Sequence, residues 1–281
     1  MPELSLGVTL AVLGAALLHA AWNAMVKSSR DVLLDLTNVV VMAGVVSVPL
    51  LAVFEPPARA AWPYLAASAV IHIGYYIALA GAYRAGDLSH GYPIMRGVAP
   101  LLIAVASAAW FGEVPPATMW LGVLLVSGGV LSLGLVGFHW RESRVSTGWA
   151  LANAAIIAAY TLVDAAGARV SGSPFGYVLW MHILDAFLFP ALVLALRKRV
   201  LVDYVRRNWL RGVIAGLLST GAYGIALWAM TRAPVAAVAA LRETSVVFAA
   251  LIGGLLLKEG HLRARLSGAL VVTAGILALK A

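Results

Sequence analysis

Residues 93–113 read PIMRGVAPLLIAVASAAWFGE, and residues 239–259 read AALRETSVVFAALIGGLLLKE. Laid on one another without a gap, they place Arg96 on Arg242 and Glu113 on Glu259, a constant offset of 146 residues. The register continues past the glutamate, where Gly122 falls on Gly268 and Gly129 on Gly275. Each copy is an apolar run carrying an arginine, then a glutamate where the run ends, then a second apolar run punctuated by glycine. A doubled membrane unit of this kind points to a two-halved transporter.

Composition agrees with that reading. The chain is 62% hydrophobic and only 11% charged, with a mean hydropathy of +0.93, whereas soluble domains carry about 25% charged residues. A net charge of +8 would suit nucleic acid only if it formed a patch on a soluble surface. Here the basic residues lie in short breaks between apolar runs, so they report topology instead, and no nucleic-acid partner is expected. Cysteine is absent, which removes disulfides and thiolate metal sites. The opening Met1-Pro2-Glu3 has no positive charge ahead of the first apolar run, so that run reads as a retained transmembrane helix, not a cleaved signal.

A helix needs about 20 apolar residues to cross the hydrocarbon core. Ten runs satisfy this: 5–26, 32–53, 63–83, 90–111, 117–138, 147–168, 174–196, 208–231, 234–257 and 262–280. Breaks such as Glu55-Pro56-Pro57, Pro115-Pro116 and Arg197 to Arg199 separate them, and Pro234 suits the first turn of the ninth. Lys27, Arg30, Arg84, Arg141, Arg144, Arg197, Lys198, Arg199, Arg206, Arg207, Arg211, Lys258, Arg263 and Arg265 fall after odd-numbered runs; Arg59, Arg169, Arg232 and Lys280 fall on the other side. The richer side faces the cytoplasm, so both termini are expected outside. Residues 1–140 and 146–281 each hold five spans. An odd number inverts the second half relative to the first, about a pseudo-two-fold axis in the membrane plane. The segment from Arg197 to Arg211 reads as an amphipathic loop attracted to anionic headgroups. The expected fold is therefore all-α and integral to a membrane: ten transmembrane helices as two inverted five-helix repeats.

With these residues in view, the chain resembles the drug/metabolite transporter superfamily, in its EamA-type branch. The Gly112-Glu113 and Lys258-Glu259 closures followed by glycine-spaced helices carry the likeness, and the size and topology are similar to those of bacterial aromatic amino acid exporters. The resemblance implies ten helices around a central cavity lined by helices 1, 3, 4, 6, 8 and 9, and export of amino acids or related small metabolites by alternating access. It also implies a location in the bacterial inner membrane. One departure is that Ala239 and Val246 stand where the first copy has Pro93 and Pro100, so the two equivalent helices are expected to bend differently.

An arginine near a helix centre costs about 2.5–3.5 kcal/mol on insertion scales, so Arg96 and Arg242 need partners or a wet cavity. Two readings stand: anion recognition suited to a substrate carboxylate, or internal ion pairs, since Glu243 adjoins Arg242. Pro93 and Pro100 suggest a kinked or partly unwound fourth helix. Asp185 lies in mid-helix with His182 three residues earlier. They form either a titrating pair or, the preferred reading, an interhelical hydrogen bond locking a peripheral helix 7. Asp164 is expected to pair locally with Arg169. Glu113 and Glu259 are expected to cap the N-termini of the helices that follow them. The glycine pairs on helices 5 and 10 are expected to allow close packing within the fold.

Trp22, Asn23, His72, Tyr76, Tyr92, Tyr160, Tyr223 and Trp228 lie inside the apolar runs, and their aromatic bodies with polar tips suit an amphipathic solute. Together with Arg96, Arg242 and Glu243 they form the expected substrate site. The partners expected are a small-molecule substrate and membrane lipid, with the chain a monomer or weak homodimer. The chain carries no Walker A loop, HExxH, GxSxG or metal-spaced cluster. A secondary transporter without metal or cofactor is therefore favoured over a membrane-embedded enzyme, and a multidrug or other metabolite permease stands as the alternative to amino acid export.

Overall fold

The computed structural model describes residues 4–85, 88–134, 144–249 and 262–280, and among these there is no strand. The helices are α1 (Leu6–Lys27), α2 (Val32–Leu50), α3 (Trp62–Ala85), α4 (Leu88–Phe111), α5 (Ala117–Gly134), α6 (Arg144–Val170), α7 (Pro174–Arg207), α8 (Trp209–Met230), α9 (Val235–Arg242) and α10 (Leu262–Lys280), with a single 3-10 turn at Arg59–Ala61. Seven described helices are long and apolar enough to cross a membrane.

Side chains at the run boundaries set where the helices begin and end. Ser5 accepts from the Val8 N–H, Asp31 from Leu34 and Ser173 from Gly176, each closing an otherwise unpaired donor at a helix start. Pro174 occupies the first turn of α7, where its missing N–H costs nothing. Gly112 and Gly172 adopt left-handed backbone (φ +67° and +69°) just past α4 and α6, a conformation that glycine accommodates without steric penalty.

The packing follows a reciprocal pattern. α5 lies against α10, α2 against α7 and α4 against α9, so these six helices pack in pairs at corresponding places in the chain order. Likewise α1 packs on α8 as α6 packs on α3. A Cβ placed on Gly122 would stand 2.9 Å from the Gly275 carbonyl, one on Gly275 would stand 2.9 Å from the Gly122 carbonyl, and Gly129 faces Gly268 at 3.0 Å. The early glycine of one helix meets the late glycine of the other, so α5 and α10 run antiparallel. The shared glycines are packing surfaces within the fold, and only residues without a side chain allow the two backbones to come this close.

Three local expectations change. α4 is helical from Leu88 through Phe111 despite Pro93 and Pro100. The interruption falls instead in the second copy, where α9 stops at Arg242 and helical residues resume at 244–249. At the break the Val246 N–H reaches back only to Glu243, and the Glu243 N–H only to Ala240, the tighter i→i+3 pattern. The expected span 234–257 is therefore not one uninterrupted helix over its described part, and its residues 250–257 lie outside the described residues. α7 continues well beyond 196, bending at Arg197 (φ −142°, ψ 41°) and running on to Arg207. The segment read as a lipid-attracted loop is helical here, and two of its arginines are held by the protein itself.

Candidate functional site

The helices alternate in direction, which gives the bundle two distinct polar ends. At the end holding Lys27 to Asp31, Arg197 pairs with Asp31 at 2.7 Å, and Arg211 pairs with Asp35 at 3.2 Å. Arg211 also donates to the Ser28 hydroxyl (3.0 Å) and the Met25 carbonyl. Tyr204 donates to Asp35 at 3.0 Å, and burial together with that carboxylate pushes the Tyr204 phenol up. These contacts fasten α7 and α8 to α1 and α2.

At the opposite end Glu113 is the hub. One of its oxygens takes the Arg169 guanidinium at 2.5 Å and the other accepts from the Val235 N–H at 2.9 Å. Arg169 also donates to the Met230 carbonyl at 3.0 Å and lies 4.5 Å over the Phe111 ring. Glu113 does cap a helix, but that helix is α9 across the fold, not the α5 that follows it. The left-handed turn at Gly112 redirects the chain just before Glu113, and the positive end of α9 attracts its carboxylate. Glu259 lies outside the described residues. The expected Asp164–Arg169 pair is absent: Arg169 serves Glu113, and Asp164 accepts from Tyr177 at 2.9 Å and Tyr223 at 2.5 Å.

Between these ends lies a cavity of about 120 Å³. A water needs on the order of 10–15 Å³ measured this way, so the space suits a solute of roughly ten non-hydrogen atoms. Its described lining comes from α1 to α4 and α6 to α9, not from α5 or α10. α2 and α7 thus join the six helices expected to line it, and α7 is not peripheral. The lining residues of α1, α2 and α4 belong to the halves of those helices near the Arg197–Arg211 end. Toward the opposite end the Glu113 contacts and Asp164 with its two tyrosines tie the helices together.

Nine of the eleven expected site residues border this space: Trp22 and Asn23 from α1, His72 and Tyr76 from α3, Tyr92 and Arg96 from α4, Tyr160 from α6, Tyr223 from α8 and Arg242 from α9. Two do not. Trp228 lies beneath the Arg232 guanidinium at 4.9 Å. Glu243 is 4% exposed, with its Oε2 2.9 Å from Arg96 Nε. That pair lacks the alignment of a hydrogen bond, since neither atom has a hydrogen-bond partner. It is an ion pair across the α4–α9 contact, and the two arginines consequently differ. Arg96 is neutralised by Glu243, whereas Arg242 forms no ion pair among the described residues and lies 5.1 Å over the Tyr223 ring.

The walls are aromatic. His72 stacks on Tyr160 with centroids 4.5 Å apart, Tyr76 on Phe189 at 3.8 Å, and His19 meets Trp22 edge-on at 5.1 Å. His72 Nδ1 lies 3.0 Å from the Ser68 carbonyl and 3.1 Å from the Ser68 hydroxyl, so Ser68 holds this nitrogen and fixes the ring against Tyr160. Sequence reasoning passed over Asn153, whose Nδ2 donates to the Met95 sulfur at 3.1 Å while its Oδ1 has no partner. A lone asparagine in an apolar run was the available signal. It also assigned His182 and Asp185 to interhelical locking. His182 does bond Thr220 at 3.1 Å, but both residues line the cavity.

Among the described residues no group of three or more His, Cys, Asp or Glu could hold a metal ion. Residues 146–280 match the model of the EamA-like transporter family. A crystal structure of another protein superposes with a TM-score of 0.81 at 21% identity, covering 97% of this chain and 96% of that one; at that identity it establishes a shared fold. No curated protein matches the sequence. The second half of this chain is thus similar to a family of transporters, and the described residues form a bundle of apolar helices.

Proposed function

We propose that the chain is a secondary transporter exporting amino acids or related small metabolites across the bacterial inner membrane. Its halves, 1–140 and 146–281, act as inverted five-helix repeats, with both termini on the outer side. Support for the inversion comes from the reciprocal helix pairs and the antiparallel glycine contact between α5 and α10. Support for the orientation comes from the crowding of Lys and Arg at the Arg197–Arg211 end.

The observation that carries the reading is the cavity between the halves, with aromatic walls and the Arg242 guanidinium left without a carboxylate partner among the described residues. Arg242 is half-buried; a cation held inside an apolar bundle without a carboxylate partner is costly, and a substrate carboxylate would offset that cost. Arg96, Glu243 and the break in α9 form the hinge region of the same site. The Glu113 contacts tie α6 and α9 together at their end, which supports reading this conformation as the outward-closed arm of an alternating-access cycle. The test is counterflow of labelled amino acids into liposomes containing the purified protein. Wild-type protein should move at least one amino acid, and Arg242→Ala should lose that movement while still inserting and folding. Full activity of Arg242→Ala would remove the carboxylate site. A failure of any amino acid to move would remove the substrate class.

A further inference from the structure

The cavity carries a second unmatched charge. Three carboxylates are buried in the middle of the bundle: Asp164, Glu243 and Asp185, at 0%, 4% and 5% exposure. Asp164 holds two tyrosine hydroxyls and Glu243 holds Arg96. Asp185 faces the cavity and has no hydrogen bond or ion pair among the described residues. Its neighbours leave it open. His182, one turn earlier, has its Nδ1 on Thr220; His72 has its Nδ1 on Ser68; and Tyr76 is stacked on Phe189.

Asp185 and Arg242 occupy different parts of the cavity. Arg242 comes from α9, which packs chiefly on α4 and α1, and Asp185 comes from α7, which packs chiefly on α2, with α8 touching both. Near the arginines two lining side chains carry polar atoms with no partner: Trp22 Nε1, a donor, and Asn153 Oδ1, an acceptor. Trp22 touches His19, and Asn153 touches Met95, the neighbour of Arg96.

We propose, building on the transport reading above, that the cavity is shaped for a diamino acid, a solute with a second ammonium held away from its carboxylate by a short aliphatic chain. Arg242 receives the carboxylate. Asp185 receives the distal ammonium, flanked by tyrosine rings whose faces favour a cation. A monoamino acid leaves Asp185 buried and unmatched, which is the kind of difference that discriminates strongly between near-isosteric substrates.

The probes are L-lysine and L-norleucine, which differ in the distal ammonium. Binding is measured calorimetrically on the full chain in lipid nanodiscs, and counterflow in liposomes. Wild-type protein should bind lysine at least about tenfold more tightly than norleucine, and Asp185→Asn should erase that preference while changing norleucine affinity by less than about threefold. Wild-type protein that binds norleucine as well as lysine overturns the assignment without any variant, and leaves the amino-acid reading standing. Equal weakening of both probes in Asp185→Asn also overturns it, because the residue would then be structural. If neither probe binds and no amino acid is moved, the transport reading falls and takes this assignment with it.

Discussion

Glu113→Gln tests whether the contacts opposite the Arg197–Arg211 end act as a latch. Glu113 is 7% exposed and joins the α4–α5 connection to α6 through Arg169 and to the start of α9 through the Val235 N–H. Glutamine keeps an acceptor for Val235 but loses the charge that holds Arg169. A hydrogen bond to a charged group contributes about 1.5–3 kcal/mol. Arg169 is partly exposed, at 25% of its side chain, so the lower half of that range applies, about 1.5–2 kcal/mol. If the contact exists only in the closed state, the open state gains roughly 10- to 30-fold in relative population. The chain has no cysteine, so a single Ala168→Cys behind the latch, at a site 1% exposed, reports cleanly. A membrane-impermeant maleimide applied from outside should label it about tenfold or more faster in the Glu113→Gln background. A labelling rate within about twofold of the parent would refute the latch, because the charge would then be contributing nothing to closure.

Adjacent glycines on α5 should respond oppositely to alanine. A Cβ on Gly129 meets Val272 and the Gly268 carbonyl at 2.8–3.0 Å, whereas one on Gly128 meets nothing within 4 Å. Gly129→Ala should therefore cost about 1–3 kcal/mol and lower Tm in detergent, while Gly128→Ala leaves Tm unchanged or raises it. The Arg96–Glu243 pair should be strongly coupled. Arg96→Gln or Glu243→Gln alone leaves a buried charge unmatched at a cost of about 3–5 kcal/mol, and the double variant should unfold at a higher temperature than either single one. Additive losses in that cycle would mean that the two side chains do not interact. Arg211→Ala removes the ties to Asp35, Ser28 and Met25, and hydrogen exchange should rise across 198–211 with little change in α3 or α4.

The sequence made the architecture readable wherever periodicity and punctuation repeat. The offset of 146 residues placed Gly122 and Gly129 on Gly268 and Gly275, and in three dimensions those same positions meet across α5 and α10. Nine expected site residues reach the cavity because mid-span aromatic and polar side chains have few other places to go in an apolar bundle. Partner choice was less legible. Asp164 sits five residues before Arg169, yet local spacing did not pair them. The tyrosines Tyr177 and Tyr223 on neighbouring helices take the aspartate, and the arginine is drawn to a glutamate 56 residues away. The break in α9 was misplaced for a related reason. Proline marks where a helix can bend without losing a donor, but Glu243 interrupts its helix in the residue that faces Arg96, and that pairing exists only once α4 and α9 have come together.

The duplication also accounts for the unequal arginines. Two copies of one ancestral helix would carry two equivalent cations, and equivalence would leave both unmatched in the bilayer. The second copy has Glu243 where the first has Gly97. Because α4 packs against α9, that one acid forms its ion pair with the arginine of the other copy. Arg242 therefore remains open to the cavity only because the symmetry is broken at a single position. One acidic residue in the second copy of a repeated sequence is thus enough to pair one arginine and leave the other on the cavity wall.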